Sequence, residues 1–380
     1  MPGYITRSVR LLAIPLLLAG VAGGVAPGTA SAAQAGTAGT AVPFSISGTL
    51  ADVAATSASN AWAVGTTGRL RSKPLIVHWN GTAWKQVPSP APANSVLNGV
   101  AATSVTNAWA VGSTGAGKAL IERWNGTAWA QVPSPAPGAF SGLYGVAAVS
   151  ASSAWAVGLT GNSGSDKTLI LRWNGMAWKQ VSSPSPAGGA GLSGVAADSA
   201  GGAWAVGFNG PGATNKTLIL RWNGTTWKQV PSPSPGAKGL ENLLFGVAAT
   251  AASSAWAVGD ISCGCGPGPS LILRWKGTAW KRVPSPGPAG GAALRGVAAT
   301  SATSAWAVGD TMTGATSFGT VILRWNGITW KQVPSPSPGT SAGLSGVAAT
   351  SALNAWAVGW TDTTTGTKTL ILQWNGKTWT

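Results

Sequence analysis

The stretch from Gly194 to Pro235 contains the unit from which most of this chain is built. It begins GVAADSAGGAWAVG and, after a loop, continues TLILRWNGTTWKQVPSPSP. The tryptophan of its Ala-Trp-Ala-Val-Gly motif recurs about every 50 residues, a period typical of proteins assembled from repeated structural units. The seven copies of this tryptophan are Trp62, Trp109, Trp155, Trp204, Trp256, Trp306 and Trp356.

Each copy carries four strand signals, exemplified by residues 194–197, 203–206, 218–222 and 227–230. Asn223-Gly224 separates the third signal from the fourth, and Asn-Gly between two β-rich runs predicts a two-residue type I′ hairpin. A Pro-Ser-Pro segment then ends the fourth strand, because proline cannot donate to a strand ladder. No segment after the N-terminal region shows helical periodicity, so we predict an all-β protein.

Seven quartets of antiparallel strands predict a seven-bladed β-propeller. A sandwich does not explain seven near-identical copies, and an open solenoid requires polar caps that neither end shows. The last copy stops at Thr380, where its fourth strand should only be beginning, and residues 41–47 precede the first copy without a blade of their own. We therefore predict that this N-terminal strand completes the last blade and closes the ring, which removes two exposed sheet edges.

The N-terminal region has the organisation of an export signal. Arg7 and Arg10 precede the apolar run Leu11–Ala26, and Ala30-Ser31-Ala32 offers a cleavage site. We expect a signal peptide over residues 1–32, a flexible lead-in over 33–40 and the propeller over 41–380, with retention as an uncleaved anchor as the lesser alternative. No other stretch is apolar enough to span a membrane, so we expect a secreted protein. We also expect it to be a monomer.

Composition limits the kinds of partner. The 380 residues carry a formal net charge of +16, with 22 tryptophans but only 8% charged residues. This balance favours anionic partners through long-range attraction. The positive charge is spread in rings: an arginine before most third-strand tryptophans, and a lysine after five fourth-strand tryptophans (Lys85, Lys179, Lys228, Lys281 and Lys331). Single charges spread in this way do not form the clustered groove of a specific nucleic-acid site.

The repeats resemble known propeller families. The order of a small-residue strand, a strand ending in Ala-Trp-Ala-Val-Gly, an apolar strand and a Trp-initiated outer strand resembles kelch and galactose-oxidase-type blades, although a single glycine stands where kelch blades have two. The Arg-Trp-x-Gly-x-x-Trp pattern is also similar to tectonin-type repeats of lectin-like propellers. The resemblance covers all seven units and implies the architecture rather than a function.

The inventory of reactive side chains argues against an enzyme. A galactose-oxidase-type copper site requires two histidines, two tyrosines and a cysteine, but the chain after residue 32 has one histidine, His78, and one tyrosine, Tyr144. His78 occupies the position of the ring arginines, which favours a structural strand residue over a catalytic one. Only eight acidic residues are present, so paired-carboxylate chemistry has few candidates. We expect no catalysis and no cofactor.

The 21 tryptophans that recur in the repeats are expected to fill the core, with each indole N–H bonded to the backbone. Cys263 and Cys265 lie in one long loop. Export favours their oxidation, but the short spacing leaves a strained local disulfide and free or intermolecular thiols equally open.

Antiparallel connectivity sorts the loops onto two faces. The short turns between first and second strands and the Asn-Gly hairpins lie on one, which we call the hairpin face. The loops between second and third strands and the links between blades lie on the other, which we call the variable-loop face because these segments differ among copies. Function tends to reside on variable loops held by a rigid scaffold, so we predict a ligand-binding site there. Its candidate residues are Trp360, Asp362, Phe208, Asp166, Asp260, Asp310 and Phe318.

The sequence thus favours a secreted, non-catalytic binding or scaffold protein that recognises cell-wall or extracellular polysaccharide. The alternatives are a protein-interaction platform at the cell surface and, less favoured, a degenerate sugar hydrolase or oxidase.

Overall fold

The computed structural model describes residues 44–68, 73–162, 165–198, 201–212, 214–262, 267–288 and 291–380. The predicted signal peptide and lead-in, residues 41–43, and the Cys263/Cys265 pair lie outside these ranges. The described residues contain 27 strands and no helix, so none of them forms a helix that could cross a membrane. The chain is a seven-bladed β-propeller.

Each of the first six blades is a four-stranded antiparallel meander whose strands pair in chain order. The first blade consists of Thr49–Ser57 (β1), Asn60–Thr67 (β2), Lys73–Trp79 (β3) and Trp84–Val87 (β4). The strands of the next five blades are Val96–Ser104, Asn107–Ser113, Ala119–Trp124 and Trp129–Gln131 (β5–β8); Phe140–Ser150, Ser153–Asn162, Ser165–Trp173 and Trp178–Gln180 (β9–β12); Ala190–Ala197, Ala203–Asn209, Lys216–Trp222 and Trp227–Gln229 (β13–β16); Glu241–Ala251, Ser254–Ser262, Ser270–Trp275 and Trp280–Val283 (β17–β20); and Ala293–Ser301, Ser304–Met312, Phe318–Trp325 and Trp330–Val333 (β21–β24).

The seventh blade has three full strands, Ser341–Ser351 (β25), Asn354–Thr363 (β26) and Gly366–Trp374 (β27), and both ends of the chain share its outer edge. At one end of β27 the Gln373 N–H donates to the Thr380 carbonyl at 2.8 Å. At the other end the Thr369 N–H donates to the Ile46 carbonyl at 2.9 Å, and Ser47 pairs with Lys368. The predicted closure is thus present as a short pairing rather than as a complete strand, because the chain beyond Gly48 turns into β1.

Tryptophan clusters join neighbouring blades. The second-strand tryptophan of each blade packs against the third- and fourth-strand tryptophans of the next; Trp204, for example, lies 4.9 Å from Trp275 and 5.1 Å from Trp280 between ring centroids. Trp356 of the seventh blade makes the same contacts with Trp79 and Trp84 of the first. This closes the circle and confirms that the repeated tryptophans form the core.

The expectation that each indole N–H bonds to the backbone holds only for the third-strand tryptophans. Third-strand tryptophans donate to backbone carbonyls in the first turn of their own blade, as Trp275 does to Ala252 at 3.1 Å. The second- and fourth-strand N–H groups, such as those of Trp204 and Trp280, have no partner among the described residues. The second- and fourth-strand rings of each cluster pack edge-to-face, as Trp204 and Trp280 do at an interplanar angle of 86°.

The Asn-Gly hairpins are not type I′ turns. Only the glycine takes a positive φ, +102° at Gly224, and the loop spans the four residues between the paired Trp222 and Trp227. The Asn223 side-chain oxygen accepts the N–H groups of Thr225 and Thr226 at 3.0 and 2.9 Å. Asparagine is used here for its acceptor, which closes the loop in the manner of an Asx-turn.

The innermost strand of every blade contains a β-bulge. In β13 the pairing with β14 skips Ser193, between Leu192 and Gly194. The glycine that follows allows adjacent inner strands to approach closely: a Cβ at Gly145 would lie 3.0 Å from the Ser193 carbonyl oxygen of the next blade. The bulge residues are Ala51, Asn98, Tyr144, Ser193, Phe245, Arg295 and Ser345.

Candidate functional site

All seven candidate site residues lie in strands, not in loops as the sequence analysis expected. The second and third strands continue to pair beyond the glycine of the Ala-Trp-Ala-Val-Gly motif; in the seventh blade Trp360 faces Thr369 and Asp362 faces Thr367. The variable-loop face is therefore built largely on rigid β-hairpin extensions. A site on such elements is more precisely positioned than one on free loops.

Trp360 and Phe208 are packed residues. Trp360 is 6% exposed and covers Gly343 on the adjacent inner strand, where an added Cβ would lie 2.9 Å from the indole nitrogen. Phe208 covers Gly191 in the same way. Trp360 therefore lies in a strand rather than in a loop, and it packs because its position faces a glycine that leaves room for a large ring.

Three further candidates occupy separate places on this face. Phe318 is half-buried and lies edge-to-face with Trp360, 6.2 Å between centroids. The Asp362 carboxylate accepts a hydrogen bond from the Thr367 hydroxyl at 2.6 Å. Asp166 lies near Tyr144, whose pKa is raised to about 12 by burial and, secondarily, by that carboxylate.

The structure brings Asp260 and Asp310 together around an arginine that the sequence analysis did not select. The Arg295 Nε donates to Asp310 Oδ1 at 3.0 Å, and its guanidinium stacks over the Phe245 ring at 5.0 Å. Neither terminal nitrogen of Arg295 has a hydrogen-bond partner among the described residues, and the side chain is 32% exposed. It therefore offers free donors at the variable-loop face.

Asp260 is the most strongly perturbed acid of this group. It is 5% exposed, and its Oδ1 has no partner within the described part of the chain. Burial raises its pKa to about 6; Arg295 opposes that shift, while Asp310 adds to it. A buried carboxylate that lacks a full set of partners costs stability, so this position is not explained by folding alone.

The polar cluster extends to a third blade. Glu241, at the start of β17, accepts a 3.3 Å hydrogen bond from the Asn215 side chain of the preceding blade. Burial raises the pKa of Glu241 as well. The inner part of the variable-loop face across the fourth to sixth blades thus combines three carboxylates, one arginine and one amide. We call Asn215, Glu241, Asp260, Arg295 and Asp310 the polar cluster.

A sequence signal could have located Arg295. The residue between leucine and glycine in the inner-strand motif, such as Leu294-Arg295-Gly296, differs in nearly every copy although its neighbours hardly change. The structure identifies it as the bulge residue. A position that varies inside a near-invariant motif marks a side chain that the fold does not dictate.

The groups that enzymes use are dispersed. His78 stacks on Trp62 at 4.0 Å between ring centroids, its Nε2 lies 2.8 Å from Asn60 Oδ1, and burial lowers its pKa. Over the residues that the structure describes, no group of three or more histidine, cysteine or acidic side chains is arranged to hold a metal ion.

Comparison with known proteins yields fold relatives only. No protein-family model and no curated protein sequence matches the chain. Among solved structures, YCF48 bound to a D1 peptide superposes with a TM-score of 0.54 at 15% identity, covering 86% of this chain and 95% of YCF48. The BP39L lectin from Burkholderia pseudomallei gives 0.55 at 14% identity, covering 87% and 97%. The chain shares their propeller architecture.

A GH74 xyloglucanase from Xanthomonas campestris also superposes, with a TM-score of 0.56 at 15% identity; the match covers 83% of this chain but only 52% of the xyloglucanase. At such identities the likeness extends to the fold, and these proteins differ in what they do.

Proposed function

We propose that the protein is an exported, non-catalytic binding propeller that recognises a cell-wall or extracellular polysaccharide through its variable-loop face. The observation that carries this proposal is the polar cluster, where charged and polar side chains from three neighbouring blades meet on the variable-loop face. The positions of Asp260 and Asp310 hold Leu159, Phe208 and Trp360 in three other blades. Replacing packed apolar side chains by a costly set of charges favours a role outside the fold.

The chemistry of the cluster suits a polyhydroxylated ligand. A sugar hydroxyl both donates and accepts hydrogen bonds, and the cluster presents guanidinium donors beside carboxylate acceptors on rigid strands. The Phe245 ring beneath Arg295 keeps the guanidinium in place from below. The basic and apolar N-terminal segment supports export to where such polymers occur.

The test is retention of the chain on a panel of insoluble and arrayed polysaccharides. We expect binding to one class, and we expect Arg295→Gln to weaken it by about tenfold or more, since hydrogen bonds to charged groups are the stronger ones. Lys228→Ala, an exposed residue on an outer strand, is the control and should bind normally. Retention on no polysaccharide, or full retention of Arg295→Gln, would contradict the proposal.

A protein or peptide partner is the second candidate, because YCF48, a protein with this fold, has been solved with a peptide bound. Crosslinking that recovers one protein partner, insensitive to added sugars and lost in Arg295→Gln, would favour it. Turnover of a polysaccharide without stable binding would instead favour the degenerate hydrolase.

A further inference from the structure

The hairpin face carries every large hydrophobic side chain that is exposed in the described residues. Met176 and Ile328, at the tips of two Asn-Gly hairpins, are 85% and 82% exposed. Val105 and Leu353, in the turns between first and second strands, are 61% and 68% exposed, and Val149 beside another such turn is 48% exposed. Isolated exposed hydrophobic residues are ordinary, but their confinement to one face is not.

These side chains are departures from the repeat. The hairpin position of Met176 and Ile328 is threonine in four other blades, as at Thr225, and the turn position of Leu353 is serine or threonine in five other copies, as at Ser253. The fold therefore accepts small polar residues at these tips. Solvent-exposed methionine and isoleucine do not contribute packing there.

The same face is strongly positive. Arginines of the third strands lie directly opposite fourth-strand lysines in four blades, as Arg221 faces Lys228 and Arg274 faces Lys281. Like charges placed opposite each other in a sheet destabilise it. Stacking on tryptophan compensates the arginines, with Arg221 4.8 Å from the Trp204 ring, but the exposed lysines receive no such compensation.

Carboxylates do not neutralise this charge at the surface. Asp198, beside a turn of this face, is 5% exposed and accepts the Gly202 N–H, and Glu122, inside β7, is 0% exposed and accepts a hydrogen bond from the Ser89 hydroxyl. The other acids of the described chain lie in the inner strands or on the variable-loop face. Charge and apolar exposure are thus concentrated on the same side of the propeller.

We propose that the hairpin face docks on an anionic lipid bilayer, with Met176, Ile328, Leu353 and Val105 entering the interface and the lysines lying over the headgroups. Apolar tips beside basic residues are the features that bind proteins to membrane surfaces. The hairpin loops have nearly uniform length, which gives a flat surface suited to a planar partner. A soluble polyanion would use the charges but leave the apolar tips without a role.

The test is co-sedimentation with vesicles, using the chain from Ala33 onward, because the closed ring lies entirely within Phe44–Thr380. We expect binding to vesicles of equal parts phosphatidylglycerol and phosphatidylcholine, and much weaker binding to phosphatidylcholine alone. The triple variant Met176→Thr, Ile328→Thr, Leu353→Ser, which restores residues found in other blades, should bind about tenfold more weakly.

Two further variants sharpen the result. Thr225→Met adds an apolar tip at the equivalent hairpin of the fourth blade and should strengthen binding, whereas Lys238→Ala, exposed on the variable-loop face, should leave binding unchanged. The proposal would be overturned if the chain did not bind vesicles, whether or not it bound soluble polyphosphate. It would also be overturned if the triple variant bound vesicles as strongly as the unaltered chain. None of these outcomes depends on polysaccharide recognition at the opposite face.

Discussion

The residue that follows the bulge in each inner strand shows which side chains this position accepts. Six inner strands have glycine after the bulge residue, but the first blade has Asp52. Its carboxylate accepts the Val53 N–H at 2.8 Å and the Val100 N–H of the second blade at 2.9 Å. Asp52 thus links two blades at the inner edge of the ring. Asn98 of the second blade makes a comparable link, because its side-chain amide donates to the Leu143 carbonyl of the third blade at 2.9 Å.

Asp52 should make stability depend on pH. Burial raises its pKa from 3.8 to about 7, outweighing the two N–H groups that favour the ionised form. Because the folded state holds this proton more tightly, its stabilising contribution is complete below about pH 4 and is lost as the pH rises to about 7. Asp52→Asn should reduce the fall in unfolding free energy between about pH 5 and 8 by about 2 kcal/mol. Urea titrations at both pH values measure this, and an unchanged fall in the variant would refute the role assigned to Asp52.

At the scale of elements, the hairpin between third and fourth strands depends on its asparagine. The fifth blade has Lys276-Gly277 instead, keeping the positive φ of +85° at glycine but losing the side-chain acceptor. Lys276→Asn should therefore raise the free energy of unfolding by about 0.5 to 1 kcal/mol, the contribution of a typical net hydrogen bond. Asn223→Lys is the reciprocal variant and should lower it by a similar amount. Chemical denaturation checks both, and equal stabilities would show that the acceptor is unimportant.

The strands also show which structural features could be predicted from the sequence and which could not. Strand number and order followed from the alternation of apolar residues and glycine, because those features are local. The length of the hairpin extensions did not, because residues such as Trp360 are held by glycines on another strand, Gly343 in this case. The sequence analysis selected Asp260 and Asp310 of the polar cluster but missed Arg295, which reaches Asp310 and Phe245 from a bulge in the inner strand.

At the scale of the whole molecule, the seven blades stabilise one another in a circle. No blade buries its own tryptophans; each cluster takes one ring from one blade and two from the next. Closure of the ring therefore contributes more to stability than any single blade does. An open ring would expose an indole cluster on one side and the partly paired edge of β27 on the other. The repeats predicted the closed ring. The outer edge of β27, which pairs with Ile46 and Ser47 at one end and with Thr380 at the other, could be described only from the structure.

A disulfide across the closure tests the circle most directly. Ser47 and Lys368 face each other as a non-hydrogen-bonded pair, flanked by the Gly48–Thr367 and Thr369–Ile46 hydrogen bonds. Such pairs bring Cβ atoms close enough to bridge. In a Cys263→Ser, Cys265→Ser background, Ser47→Cys with Lys368→Cys should form an intramolecular disulfide under mild oxidation, seen as a crosslinked peptide by mass spectrometry, and should raise the unfolding temperature. Free thiols or only intermolecular disulfides at these positions would contradict the closed seven-bladed ring.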